Sequence, residues 1–211
     1  MSGHGHDHSP PPAKDGKTRV AILISGAGSN MAAIIEAAKA ADYPAEIAVV
    51  ISNNPDARGL ALARAAGIEA LAIDHRPFGK VRHAHELAID AALRLRGVEV
   101  VVLAGYMRIL TAFLVRAWEG RMLNIHPSLL PKYPGLDTHA RAIASEDAEA
   151  GCTVHLVTEG VDEGPVLGQA RVAVEAGDTA ETLAARVRMA EHRLYPEALA
   201  AFIRQRKTAS V

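Results

Sequence analysis

Two polar side chains stand two residues apart in Asn124-Ile125-His126, directly before Pro127-Ser128-Leu129-Leu130-Pro131. In an extended segment, alternation aims the amide and the imidazole to the same side. An amide N–H and a protonated imidazole that converge can both donate to an acyl oxygen as it gains negative charge. The same residue types also serve as a capping amide and a packed ring, so the pair needs further partners to select a reading. One partner lies in Thr158-Glu159-Gly160-Val161-Asp162-Glu163-Gly164-Pro165, an acidic loop in which Asp162 could orient His126 and favour its charged form. Solvated surface acids are the alternative there. A third element, Ser25-Gly26-Ala27-Gly28-Ser29-Asn30, follows an apolar run and precedes a helical one. Free N–H groups and the positive end of a helix dipole at such a turn can hold a phosphate. A plain strand-to-helix turn capped by Ser29 or Asn30 would carry the same residues. A dinucleotide fingerprint asks for a third glycine and an acidic residue about 20 positions on. Ser52-Asn53-Asn54 follows the second apolar run instead, which disfavours a nicotinamide dinucleotide.

The elements that must position these groups alternate between short β-branched runs and longer helical stretches, the pattern of a parallel α/β sheet. Strands are expected at Arg19–Ile24, Glu46–Ile51, Ala70–Ile73, Val98–Ala104 and Met122–Ile125. Helices are expected at Met31–Ala40, at Ala57–Ala66 before Gly67, and within Val81–Arg96. Fully apolar short runs such as Val98–Ala104 read as buried strands. The strand at Met122–Ile125 delivers Asn124 and His126 to the strand tips, where open α/β sheets bind ligands. A long Pro-containing connection, His126–Thr138, follows, and loops of that kind are usually functional. Thr153–Val157 and Gly168–Val174 read as an antiparallel strand pair joined by the acidic loop, and Thr179–Arg204 as a closing helix. The fold class expected is α/β, a mostly parallel twisted sheet with helices on both faces and an antiparallel pair near the C-terminal end.

Composition bounds the partners. The chain has 211 residues, room for one packed domain, expected to cover 19–211 after a His- and Pro-rich tail at 1–18 that holds too little apolar surface to order itself. His4, His6 and His8 in that tail could catch a metal adventitiously, and no metal site is assigned. The formal net charge of −1 lacks the basic excess of a nucleic-acid binder, so an anionic substrate needs a local site. Cys152 is the only cysteine, which excludes an internal disulfide and fits a reducing compartment. No apolar stretch approaches bilayer length and the N-terminus lacks a signal-peptide core, so a cytoplasmic location is expected, with no membrane partner.

Taken together, the motifs resemble those of the folate-dependent phosphoribosylglycinamide formyltransferase family. The resemblance runs from Arg19 to about Arg204. It rests on Ser25–Asn30, on Leu103-Ala104-Gly105-Tyr106-Met107-Arg108-Ile109-Leu110, on Asn124 to Gly135, on the loop ending at Asp162-Glu163-Gly164-Pro165, and on Glu191-His192. It implies that Asn124, His126 and Asp162 form a catalytic triad around a formyl carbon. It further implies that Gly28, Ser29 and Asn30 hold the phosphate of glycinamide ribonucleotide, with Arg188 and Glu191 of the last helix opposite. Arg188 stands where the family often has glutamine, and a guanidinium there could bind phosphate bidentately. For the formyl donor, 10-formyltetrahydrofolate, the resemblance points to Met107, Arg108, Ile109 and Leu110 as one wall. Asn124 and the loop Thr158, Glu159, Gly160, Val161 and Asp162 lie opposite, with Arg82 toward the donor's glutamate tail. The implied chemistry is direct attack of the amine on the formyl carbon through a tetrahedral intermediate, without metal, in a monomer or homodimer. A formyltetrahydrofolate deformylase is the nearest rival, disfavoured by the Gly28-Ser29-Asn30 loop and by a strand that follows only a short tail. His139 and His155 are expected to pack or to hydrogen-bond, and Asp137 has no counterpart in the family pattern.

Overall fold

A computed structural model describes Ala13 and residues 16–209. Most of the expected tail, and its histidines, lie outside the described residues. Its last residue is not tail: Thr18 opens the first strand, is 7% exposed, and donates its N–H to Pro44 O at 2.9 Å.

In chain order the elements are β1 (Thr18–Ile24), α1 (Ser29–Ala37), β2 (Ala45–Ser52), α2 (Arg58–Ala65), β3 (Ala70–Ala72), α3 (Arg82–Leu95) and β4 (Val100–Leu103). There follow α4 (Ala112–Ala117), β5 (Met122–His126), α5 (Thr138–Ala144), β6 (Glu149–Leu156), β7 (Val166–Ala173) and α6 (Ala180–Ala209). The strands form one sheet in the order β3-β2-β1-β4-β5-β6-β7. Pairings from β3 through β5 are parallel, whereas β6 is antiparallel to both β5 and β7. The expected antiparallel pair is therefore present, and it extends the parallel sheet through β5.

Alternation along the strands builds two cores. Val20, Ile22 and Ile24 of β1 face a layer that includes Met31 and Ile34 of α1, Leu60 of α2 and Leu199 of α6. Ala21 and Leu23 face the other layer, with Ile89 and Leu93 of α3 and Leu114 of α4. Strand order reverses between β1 and β4, so the crevice for a ligand lies past the ends of these two strands.

Two short helices were not expected. The six residues of α4 and seven of α5 give too few turns for an apolar period to emerge. β6 begins at Glu149, before the expected Thr153, because Gly151 and Cys152 interrupt its β-branched run.

α6 is pinned where it crosses the sheet. Tyr195 is fully buried, and its hydroxyl is shared between Leu103 O at 2.8 Å and Leu123 O at 3.2 Å, the carbonyls of the last residue of β4 and the second residue of β5. One residue on, Pro196 O accepts the Tyr43 hydroxyl at 2.8 Å. Tyr195→Phe should therefore lower unfolding free energy by about 1 kcal/mol, the usual net worth of one such bond. Urea unfolding would read it, and an unchanged midpoint would remove this hydroxyl from the anchoring of α6.

Candidate functional site

The loop leaving β1 turns sharply into α1. Gly28 caps the helix in the left-handed region at φ 74, and a Cβ there would stand 3.0 Å from Gly59 Cα. Gly59, at the start of α2, is just as constrained: its N–H donates to Gly26 O at 3.0 Å, and a Cβ would meet Ile24 Cδ1 at 2.4 Å. Two helix starts thus pack against one backbone loop. The first turn of α1 carries no acidic residue, so its N-terminal N–H groups face the crevice without a built-in anion. Ser29 is exposed, whereas the Asn30 amide turns inward and donates to Glu191 Oε2 at 2.9 Å. Asn30 Oδ1 is buried without a partner.

β5 delivers the next groups. Leu123 and Ile125 point into the core, so Asn124 and His126 share the opposite face. The His126 side chain is 8% exposed, its Nε2 donates to Tyr133 O at 2.8 Å, and its Nδ1 lies 3.4 Å from Asp162 Oδ2. Asp162, in the β6–β7 connection at φ 56, also accepts the Gly135 N–H at 3.0 Å. Asp is among the few residue types that tolerate this backbone region. Tyr133 and Gly135 are held in place because their loop is tied down: Ser128 Oγ donates to Lys132 O at 2.6 Å, Thr138 Oγ1 to Pro127 O at 2.7 Å, and the Tyr133 hydroxyl to Asp147 at 2.8 Å.

Asn124 is oriented from across the sheet. Antiparallel register puts His155 opposite it, and Asn124 Nδ2 lies 3.3 Å from His155 Nε2. His155 Nδ1 donates to Leu156 O at 2.9 Å, and burial lowers the ring's pKa. The neutral ring therefore carries its proton on Nδ1 and accepts from the amide on Nε2. That bond uses one amide hydrogen of Asn124 and leaves the other for a ligand. His155 Nε2 is also 3.7 Å from Asp162 Oδ1, so the carboxylate stands between two imidazoles.

These groups meet in one cavity of about 470 Å³. Asn30, Asn124, His126 and Glu191 line it, together with Gly105–Met107 and Gly135–His139. Asp162 reaches it through His126 and Gly135. Arg188 lies one turn before Glu191 on α6 and is exposed; burial raises the Glu191 pKa against the opposing pull of Arg188, and burial, aided by Arg188, lowers that of His139. Arg82, Arg108, Ile109, Leu110 and the stretch Thr158–Val161 do not line this cavity. Arg82 is exposed at the start of α3, Ile109 is 66% exposed, and Glu159 pairs with Arg116 of α4. Reading the residues in sequence did not single out Tyr106, Leu136 or Asp137 as cavity walls, and His155 became legible only through the β5–β6 register. His139, expected to pack or to bond, lines the cavity, and its Nε2 is buried without a hydrogen-bond partner.

Around this cavity stand the first turn of α1, which carries no acidic residue, the exposed Met107, and the amide of Asn124 and the imidazole of His126, with the Asp162 carboxylate against the ring. Residues 18–199 match the family described as formyl transferase. The phosphoribosylglycinamide formyltransferase of Escherichia coli (strain K12) is 46% identical over 84% of this chain and 83% of its own length. The trifunctional purine biosynthetic protein adenosine-3 of Drosophila melanogaster is 44% identical over 89% of this chain, which spans only 14% of that longer protein. Among solved structures, phosphoribosylglycinamide formyltransferase from Brucella melitensis superposes with a TM-score of 0.85 at 56% identity, over 89% of this chain and 96% of the other.

Burial raises the Glu191 pKa above its ordinary 4.5, outweighing the Asn30 hydrogen bond and the nearby Arg188 and His126. The folded protein then holds this proton more tightly than the unfolded chain, so stability is full below the ordinary value and falls as pH rises through the folded one. Glu191→Gln lacks that loss, so urea unfolding should show its stability relative to wild type improving from pH about 4 to about 7. A difference independent of pH would contradict this assignment.

Proposed function

The chain belongs to the formyl transferase family, and from that premise we propose that it transfers the formyl group of 10-formyltetrahydrofolate to the amine of glycinamide ribonucleotide. The products are formylglycinamide ribonucleotide and tetrahydrofolate, and the setting is purine synthesis in the cytoplasm. One observation carries the reading: Asn124 and His126 of β5 meet Asp162, which is distant in sequence, beside a cavity that Asn30 also lines, in a chain whose relatives bear this name.

In this mechanism the uncharged amine attacks the formyl carbon and its electron pair forms the new C–N bond. The carbonyl electrons move onto oxygen, which becomes anionic in a tetrahedral intermediate. The free amide hydrogen of Asn124 donates to that oxygen. His126 cannot offer Nε2, which is committed to Tyr133 O, so its donor is Nδ1, whose hydrogen the substrate oxygen shares with Asp162 Oδ2, 3.4 Å away. Asp162 keeps the ring oriented and holds a water that relays the proton from the amine to N10. Collapse then breaks the bond to N10 and releases tetrahydrofolate.

Binding follows the same partition. Gly28, Ser29 and Asn30 hold the substrate phosphate with Arg188, and Glu191 accepts from the substrate's amine or ribose. Met107, Arg108, Ile109 and Leu110 flank the donor's heterocycle, Thr158–Asp162 close over it, and Arg82 reaches its glutamate tail.

Release of tetrahydrofolate should require glycinamide ribonucleotide; release at the same rate without it would make water the acceptor and the enzyme a deformylase. His126→Ala should cut kcat about 100-fold or more while both substrates still bind, because its contribution belongs to the transition state. Unchanged turnover would remove His126 from the mechanism. Arg188→Glu should instead raise KM for the ribonucleotide and leave that for the donor, and an unaltered ribonucleotide KM would count against the phosphate role.

A further inference from the structure

The segment joining β4 to α4, residues 104–111, turns apolar side chains outward: Met107 is 74% exposed and Ile109 66%. Tyr106 and Leu110 pack inward against the core beside α3 and α4, whereas Met107 and Ile109, left in solvent, set no shape, so the backbone that presents them depends also on how its two ends are held. Both are held by side chains from other elements. At the first end Ser25 N–H donates to Gly105 O at 3.2 Å, and Met107 N–H donates to Ser25 Oγ at 2.8 Å. The Ser25 hydroxyl in turn donates to Oδ1 of Asn53, which is 5% exposed. At the second end Glu86 of α3, 2% exposed, accepts the Thr111 N–H on Oε1 at 2.7 Å and the Thr111 hydroxyl on Oε2. Burying a carboxylate is costly unless its oxygens are met, and here both oxygens are directed at a single loop residue.

We propose that Glu86 and Ser25 are positioning residues that clamp the 104–111 segment in the form that receives the formyl donor. The inference rests on assigning Met107–Leu110 to the donor. Ser25 also opens the turn proposed to hold phosphate, so its loss would disturb both substrates. The Glu86–Thr111 end lies away from that turn and acts on the donor alone.

Thr111 allows a clean test, because valine has the same shape and lacks the hydroxyl, whereas serine keeps it. Wild type, Thr111→Val and Thr111→Ser would be titrated calorimetrically with tetrahydrofolate and, separately, with glycinamide ribonucleotide. The clamp predicts that Thr111→Val weakens tetrahydrofolate binding about tenfold, a loss of about 1.4 kcal/mol. Thr111→Ser should restore it, with ribonucleotide affinity unchanged throughout. Glu86→Gln, which keeps the shape and removes the charge, should shift tetrahydrofolate affinity in the same direction and serves if Thr111→Val does not fold. Equal tetrahydrofolate affinity in wild type and Thr111→Val overturns the clamp, as does an equal loss for both ligands, which marks a general structural defect. A wild-type protein that binds the ribonucleotide but not tetrahydrofolate overturns the donor assignment itself and the clamp with it.

Discussion

The His126 ring and the Asp162 carboxylate face each other across 3.4 Å with 8% and 11% of their side-chain surface exposed. Neither group can be withdrawn from water this far without compensation, which costs several kcal/mol per ion when left unmet. The compensation comes from two places: the Tyr133 carbonyl on the ring and the Gly135 N–H on the carboxylate. Each belongs to a different part of the chain from the group it serves. The tip of β5, the loop after it and the β6–β7 connection must therefore all end in register, or a buried polar group is left unpaired.

The sheet makes that register possible. Because β6 is antiparallel to β5 and runs away from the tip that carries His126, His155 lands opposite Asn124, and the β6–β7 connection folds back to bring Asp162 against His126. The reversal of strand order between β1 and β4 opens the crevice on the other side, and Ser25 N–H to Gly105 O joins its two walls at 3.2 Å. α6 closes the assembly, anchored by Tyr195 at the end of β4 and near the start of β5, and carries Glu191 to the Asn30 amide. Positioning and stability draw on the same contacts.

Much of this was legible in the sequence for identifiable reasons. β4 is an unbroken apolar run and β1 is one from Val20 onward, and their burial there follows from composition alone. Asn124 and His126 could be placed on one face because a strand has period two, which requires no knowledge of neighbours. Other features depend on neighbours and were hidden. The role of His155 needs the β5–β6 register, and that of Glu86 needs the packing of α3 against the loop before α4. Asp137 and His139 became cavity walls only once α5 was recognised, and its seven residues are too few to announce a helix. The Gly28 turn was visible as a motif, but the reason it must be glycine, the approach of Gly59, lies in the fold.

The central claim is that His126 and Asp162 act as one unit. It is tested most directly by a double-mutant cycle on kcat with His126→Ala, Asp162→Ala and the pair combined. If the carboxylate works through the ring, the double variant should be about as slow as the slower single one, because the second change removes nothing that the first had left intact. Losses that multiply independently would contradict the account.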